Sequence, residues 1–263
     1  MSISMSRYLY HRFPIGIKAF STERAGGYSN GAYASFNCNP YCGDDIESVE
    51  QNIQLLCSDL DIPSHRLFLP KQVHGTDIFV VDEQFLSTSV SKQKELLHGI
   101  DALITTLPNC CIAVSTADCV PILLYDKRTS ALAAIHAGWR GTLSSIVVKV
   151  LQKMKSDYST QAKDVMACIG PSISLDAFEV GDEVYDSFYN SGFPMDRIAC
   201  RKKKWHIDLW EANRWLLLEC GLHDFSIEVS GICTYKDYER FFSARRLGIH
   251  SGRIVSGIMR VIK

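Results

Sequence analysis

Two imidazoles and one thiol stand in three short cassettes bounded by glycine or proline. They read Lys71-Gln72-Val73-His74-Gly75, Ala117-Asp118-Cys119-Val120-Pro121 and Ile135-His136-Ala137-Gly138-Trp139-Arg140-Gly141. His74, Cys119 and His136 lie 45 and 17 residues apart, so no single turn gathers them. If they meet, tertiary structure brings them together, as in catalytic rather than finger-type metal sites. A Cys/His₂ set leaves one of zinc's four positions open to water or substrate. Water held in that position can lose a proton near neutral pH. Taken singly, each residue reads more simply as a polar side chain in a turn or strand. The charged and turn-forming neighbours Asp118, Gly75, Gly138 and Gly141, each beside an apolar run, favour a shared site.

The third cassette leads into a helix expected to start at Thr142. A helix N-terminus offers unpaired N–H groups and a positive dipole end, and Arg140 adds a bidentate fork for phosphate or carboxylate. Arg140 could also be a surface ion pair, and Trp139 a wall residue. Asp118 reads as an orienter of a ligand, a proton acceptor or a turn aspartate. A different chemistry uses the same residues, with Cys119 as nucleophile and His136 as base. Chelation separates the two, since it abolishes a zinc enzyme and spares a Cys/His hydrolase. A third reading is a metal-binding partner without catalysis.

Composition narrows the partners. With 263 residues, 46% hydrophobic, 22% charged and a net charge of −1, the chain is expected to be globular and to recruit neither nucleic acid nor an anionic membrane. The basic run Arg201-Lys202-Lys203-Lys204 reads as a solvated turn. The first ten residues lack an apolar export core, and no run approaches the length of a membrane helix. Ten cysteines without an export signal read as reduced thiols in a cytoplasmic protein. Cys38 and Cys42 lack a second Cys/His pair nearby.

The elements that must position the trio follow from hydrophobic patterning. Residues 15–22 read as a strand, followed by a Gly/Asn-rich loop. Asp44 or Asp45 caps a helix carrying Ile46, Val49, Ile53, Leu56, Cys57 and Leu60 at helical spacing. Residues 77–82 read as a short strand and 87–99 as a polar excursion. Four apolar runs, 102–105, 110–115, 121–125 and 131–136, read as strands of one buried sheet. An amphipathic helix is expected over 142–158, a strand over 165–169, and helices over 181–190 and 206–220. Strands at 225–230, 241–244 and 254–261 close the chain. The mixture predicts an α+β fold, a single layered domain over residues 1–263 with mixed sheets flanked by helices.

The motifs go beyond generic chemistry. The three cassettes join Thr22-Glu23-Arg24-Ala25-Gly26-Gly27, Asn30-Gly31, Tyr33-Ala34-Ser35-Phe36-Asn37, Gly43-Asp44-Asp45, Asp101-Ala102-Leu103-Ile104-Thr105, Ile169-Gly170-Pro171, Phe242-Ser243 and Arg245-Arg246. Together these resemble the YfiH/YlmD family from about residue 21 to about residue 253. That family has been called laccase-like multicopper polyphenol oxidase, peptidoglycan editing factor and purine nucleoside phosphorylase. Phe36 stands where the family usually has leucine, and Ala244 where it commonly has tyrosine.

The resemblance implies that His74, Cys119 and His136 bind zinc and carry catalysis. It further implies phosphorolysis of adenosine, inosine, guanosine and methylthioadenosine, and hydrolytic deamination of adenosine. Asn37, Lys71, Arg140 and Arg245 are then candidates for substrate or phosphate contact, in a monomer or weak homodimer. A multicopper oxidase needs a separate histidine-rich cluster. The remaining histidines, His11, His65, His98, His206, His223 and His250, stand singly, although one copper at a Cys/His₂ site is chemically possible in vitro. A Cys/His amidase acting on peptidoglycan precursors is the remaining enzymatic alternative.

Overall fold

The computed structural model describes residues 6–262. Residues 1–5, where the segment read above as no export signal begins, and residue 263 lie outside it. The strands are β1 (Tyr8–Tyr10), β2 (Ile17–Thr22), β3 (Leu67–Phe68), β4 (Ile78–Val81), β5 (Ala102–Thr105), β6 (Cys111–Thr116) and β7 (Val120–Asp126). They continue as β8 (Leu132–Ala137), β9 (Val165–Ile169), β10 (Glu179–Val180), β11 (Ala199–Arg201), β12 (Trp205–Ile207), β13 (Ile227–Val229) and β14 (Ile254–Arg260). The α-helices are α1 (Ile46–Leu60), α2 (Glu83–Leu86), α3 (Val90–Leu96), α4 (Trp139–Leu143) and α5 (Ile146–Tyr158). Then come α6 (Asp182–Asn190), α7 (Met195–Ile198), α8 (Leu209–Glu219) and α9 (Ala244–Leu247).

Two mixed sheets pack face to face between helices, giving an α+β fold. One runs β1-β2-β14-β6-β3 and the other β13-β9-β7-β8-β5-β4, while β10-β12-β11 forms a small third sheet. The period of two along a strand sorts its side chains between the layers. In β6, Ile112 and Val114 join the layer between the sheets, whereas Cys111 and Ala113 face α1 with Leu56 and Leu60. In β7, Leu123 faces the inter-sheet layer and Ile122 and Leu124 face α5 and α8. Burial on both faces explains why these strands read as unbroken apolar runs.

Several expectations are corrected. The run 110–115 is not a neighbour of 121–125: β6 pairs with β14 and β3, so the chain crosses between sheets at residues 117–119. The helix expected over 142–158 starts earlier as α4, and left-handed Ser145 (φ 56°) separates it from α5. The helix expected from 206 begins after β12, where Asp208 accepts a 3.0 Å bond from the Glu211 N–H. The polar stretch 87–99 holds α3, started by Ser89. No strand forms at 241–244. Phe241 and Phe242 are buried by packing rather than by strand pairing, and Ser243 caps α9.

Candidate metal centre

Register places two of the three side chains. Pro121 of β7 stands opposite His136 of β8. Counting by twos, Cys119, Pro121 and Leu123 share one face, as do Leu132, Ala134 and His136. That is the inter-sheet face, filled by Leu123, Leu132 and Ala134 deeper in the core. At its end the chain has just crossed from one sheet to the other, and Cys119 and His136 take the place of apolar residues there.

Asp101 brings in the third. It precedes β5, whose pairing sets its backbone carbonyl to accept from the His136 N–H at 2.8 Å. Its fully buried carboxylate accepts from His136 Nδ1 at 2.7 Å, the His74 N–H at 3.0 Å, the Gly75 N–H at 2.7 Å and the Val73 N–H at 3.3 Å. One carboxylate therefore fixes the His74 loop, in which His74 is left-handed at φ 61°, and also orients the His136 ring. Burial works against its charge, but His136 and the loop N–H groups outweigh this and hold Asp101 below the usual carboxylate range. With Nδ1–H given to Asp101, Nε2 is the side of His136 left for a ligand.

His74 is exposed, Cys119 half-buried and His136 buried, and their ligand atoms all lie within 4.8 Å of one another. The two imidazole rings meet edge to face, 4.8 Å between centroids. Burial pushes the Cys119 thiol up, but His136 and His74 outweigh it and bring it down to about 6. Burial likewise pushes His136 down, and Cys119 and Asp101 reverse this to about 9. The thiolate, the form that binds metal, is therefore favoured at neutral pH.

These donors fit zinc. Tetrahedral zinc sets its nitrogen and sulfur ligands roughly 3.3–3.8 Å apart, a small contraction of the present trio. Gly138 leaves the necessary space: a Cβ there would lie 3.1 Å from Cys119 Sγ, 3.1 Å from His74 Cδ2 and 3.9 Å from His136 Nε2. Among the described residues this is the one cluster of three or more such donors, which does not provide the trinuclear centre of a multicopper oxidase.

The trio opens into a cavity of about 380 Å³ whose wall includes Asn39, Tyr41, Cys42, Gln72, Ser115 and Arg253. Most of the wall's polar groups are bonded to one another. Asn39 Nδ2 donates to Ser115 Oγ at 2.7 Å, and Gln72 pairs with the Ser115 main chain through bonds of 2.8 and 2.9 Å. Tyr41 supplies the wall's one aromatic ring besides the imidazoles, and its N–H is fixed by Asn39 Oδ1 at 2.6 Å. A second cavity of about 300 Å³, mostly apolar, lies between α1 and α3 and shares Tyr41.

The other sequence candidates stand outside that lining. Asn37 is fully buried; its Nδ2 donates to Asp44 at 2.8 Å and its Oδ1 accepts from the Arg253 N–H at 3.0 Å. Lys71 is exposed beside Lys94, Glu95 and His98 in a neighbouring depression. Arg140 lies within α4, exposed, its guanidinium 4.1 Å from the Trp139 ring centroid. Arg245 donates to the Glu179 carbonyl at 3.2 Å and lies over Phe178. Asp118 is a buried latch: it accepts from Thr234, Ser243 and the Arg245 N–H, each at 2.7 Å, and so fixes the crossover beside Cys119.

Sequence reasoning gave no role to Asp101, Gln72, Tyr41 or Arg253. A lone acid at the head of the apolar run 102–105, within one of the motifs that carry the family resemblance, and an amide two residues before His74 were the signals.

Comparison with known proteins agrees with this architecture. Residues 18–261 match the family described as multi-copper polyphenol oxidoreductase laccase. A protein of Bacteroides thetaiotaomicron named purine nucleoside phosphorylase is 52% identical over 92% of this chain and 91% of its own. Adenosine deaminase RL5, from an unknown prokaryotic organism, is 40% identical over 93% and 94%. The crystal structure of YlmD from Geobacillus stearothermophilus superposes with a TM-score of 0.91 at 31% identity, over 98% of both chains. The chain belongs to this laccase-domain family of YfiH/YlmD-type proteins.

Proposed function

We propose that this protein is a zinc-dependent purine nucleoside phosphorylase that also deaminates adenosine, acting in the cytoplasm as one unit over residues 1–263. The observation that carries the reading is the convergence of His74, Cys119 and His136 at the wall of a polar cavity, with one carboxylate orienting two of them. Relatives named for each activity support it. When bound, zinc supplies Lewis acidity at the open coordination position.

The chain's own residues hold that position and shape what reaches it. Asp101 keeps Nε2 of His136 turned to the site and fixes the turn that carries His74. Tyr41, on a backbone pinned by Asn39, offers a flat face to a purine ring. In phosphorolysis a phosphate oxygen bonds to the anomeric carbon, and the glycosidic C–N pair leaves with the purine nitrogen, which takes a proton from phosphate or solvent. In deamination water adds at the amino-bearing purine carbon and ammonia leaves.

A Cys/His hydrolase uses the same thiolate and imidazole, but it gives no role to His74 as a third donor. The test is to incubate purified protein with adenosine, with and without phosphate. Adenine plus ribose 1-phosphate only with phosphate, inosine without it, and loss of both in His74→Ala are the expected results. Activity that survives metal chelation and the His74→Ala change favours the hydrolase instead.

A further inference from the structure

We propose that Arg253 is the phosphate anchor of the metal cavity, the residue that admits inorganic phosphate as the attacking group. This deepens the function proposed above and rests on it. Arg253 is the only lysine or arginine among the residues lining the cavity, and no aspartate or glutamate lines it. Among the described residues no carboxylate oxygen lies within ion-pair distance of Arg253, whereas Arg7, Arg197, Arg214 and Arg240 each have one.

Its guanidinium is instead held by main-chain carbonyls. It donates to the carbonyl oxygens of Ser251, of Gly252 at 3.0 Å and of Ile249 at 2.9 Å. Neutral acceptors orient the head group and leave its charge intact. A guanidinium carries five N–H donors, so some remain for a ligand. Elsewhere on the polar wall Asn39, Gln72 and Ser115 are already bonded to one another, and the unpartnered hydroxyl of Thr116 is neutral, so Arg253 is the wall's only permanent cation for an anion.

The main-chain N–H of Arg253 is fixed by buried Asn37, which is itself tied to Asp44. Asn37 therefore acts as a positioning residue for the arginine rather than as a substrate contact. A rigid uncompensated fork beside a cation site, with no acid to repel a dianion, is suited to bidentate phosphate recognition. The step it serves is balanced within the proposed reaction: the phosphate oxygen forms the new C–O bond, the C–N bond breaks, and the base takes up the proton.

The test compares the zinc-loaded protein with Arg253→Met and Arg253→Lys. Phosphate KM and inosine KM are measured in phosphorolysis, and inorganic phosphate and adenosine monophosphate are titrated calorimetrically. Loss of charge-assisted hydrogen bonds predicts that phosphate KM and Kd rise about ten-fold or more in Arg253→Met, with a smaller rise in Arg253→Lys. Inosine KM is expected to move by less than about three-fold, because the lost bonds are to phosphate. A role confined to holding the 249–252 turn predicts that both KM values move together, and that result overturns the proposal. Phosphate affinity unchanged in both variants overturns it as well, as does Arg253-dependent binding of adenosine monophosphate tighter than that of inorganic phosphate. Absence of phosphorolysis in the parent protein counts against the proposed function alone, since calorimetric phosphate binding still tests Arg253.

Discussion

At the scale of single residues, the site depends as much on what is absent at position 138 as on the donors themselves. Gly138 has an ordinary φ of −65°, so the backbone there tolerates any residue. Space is the constraint, because a methyl group would press on Cys119 Sγ and the His74 ring at 3.1 Å. Gly138→Ala is expected to lower zinc affinity about ten-fold or more, comparable to disturbing the support of a metal ligand. Its cost to the fold should stay near that of a lost N-cap, about 1 kcal/mol. Competition with a chromophoric chelator, alongside thermal unfolding, reads the two effects separately. The trio was legible because its three members sit in distinctive cassettes. Asp101 and Arg253 were not, because their roles are set by cross-strand register and by the absence of a nearby carboxylate, which spacing does not reveal.

At the scale of elements, one buried histidine ties the five-stranded sheet together. His11 follows β1, and its Nε2 lies 2.9 Å from Ser21 Oγ, which in turn lies 2.7 Å from Ser256 Oγ on β14. Burial holds its pKa down to about 4, against 6.5 for an unfolded histidine. The unfolded chain therefore binds this proton first as the pH falls, so the stability the neutral ring confers is intact above about 6.5 and lost between about 6.5 and 4. The full effect is on the order of 3 kcal/mol. In denaturant titrations over that range, His11→Gln should lose less stability on acidification than the parent. Equal slopes would remove His11 from the account.

Element boundaries were readable wherever a local rule operates. Asp45 caps α1 as its sequence suggests, and the burial of β7 and β8 on both faces follows from their unbroken apolar runs. The reading failed at 206–220, where the three residues Trp205–Ile207 form β12 just before the Asp208 cap, and at 142–158, where a left-handed serine divides a continuous apolar stripe. Neither feature alters the helical period, so periodicity alone could not find it.

At the scale of the whole molecule, the site lies where the chain passes from one sheet to the other. The α+β class was legible from the mixture of runs, but the assignment of strands to sheets was not. β2 pairs with β14 across almost the entire sequence, and β6 joins them rather than its neighbours β7 and β8. Such non-local pairing is decided by the packing of faces, not by order along the chain. The consequence is functional: the crossover at residues 117–119 sets Cys119 at the end of the inter-sheet layer, and β8 and Asp101 set the histidines beside it. A copper-oxidase name describes the family, yet the described residues bring together one candidate metal-binding trio and not the separate trinuclear donor group that multicopper oxidase chemistry requires.

The central claim, three distant side chains converging on a single zinc, is tested most directly by zinc K-edge absorption spectroscopy of the purified protein, with metal content determined on the same sample. The account predicts one zinc per chain with one sulfur at about 2.3 Å and two imidazole nitrogens at about 2.0 Å, plus one lighter ligand. Cys119→Ala should remove the sulfur shell. A protein that holds no stoichiometric metal, or a zinc spectrum without sulfur, would contradict the account.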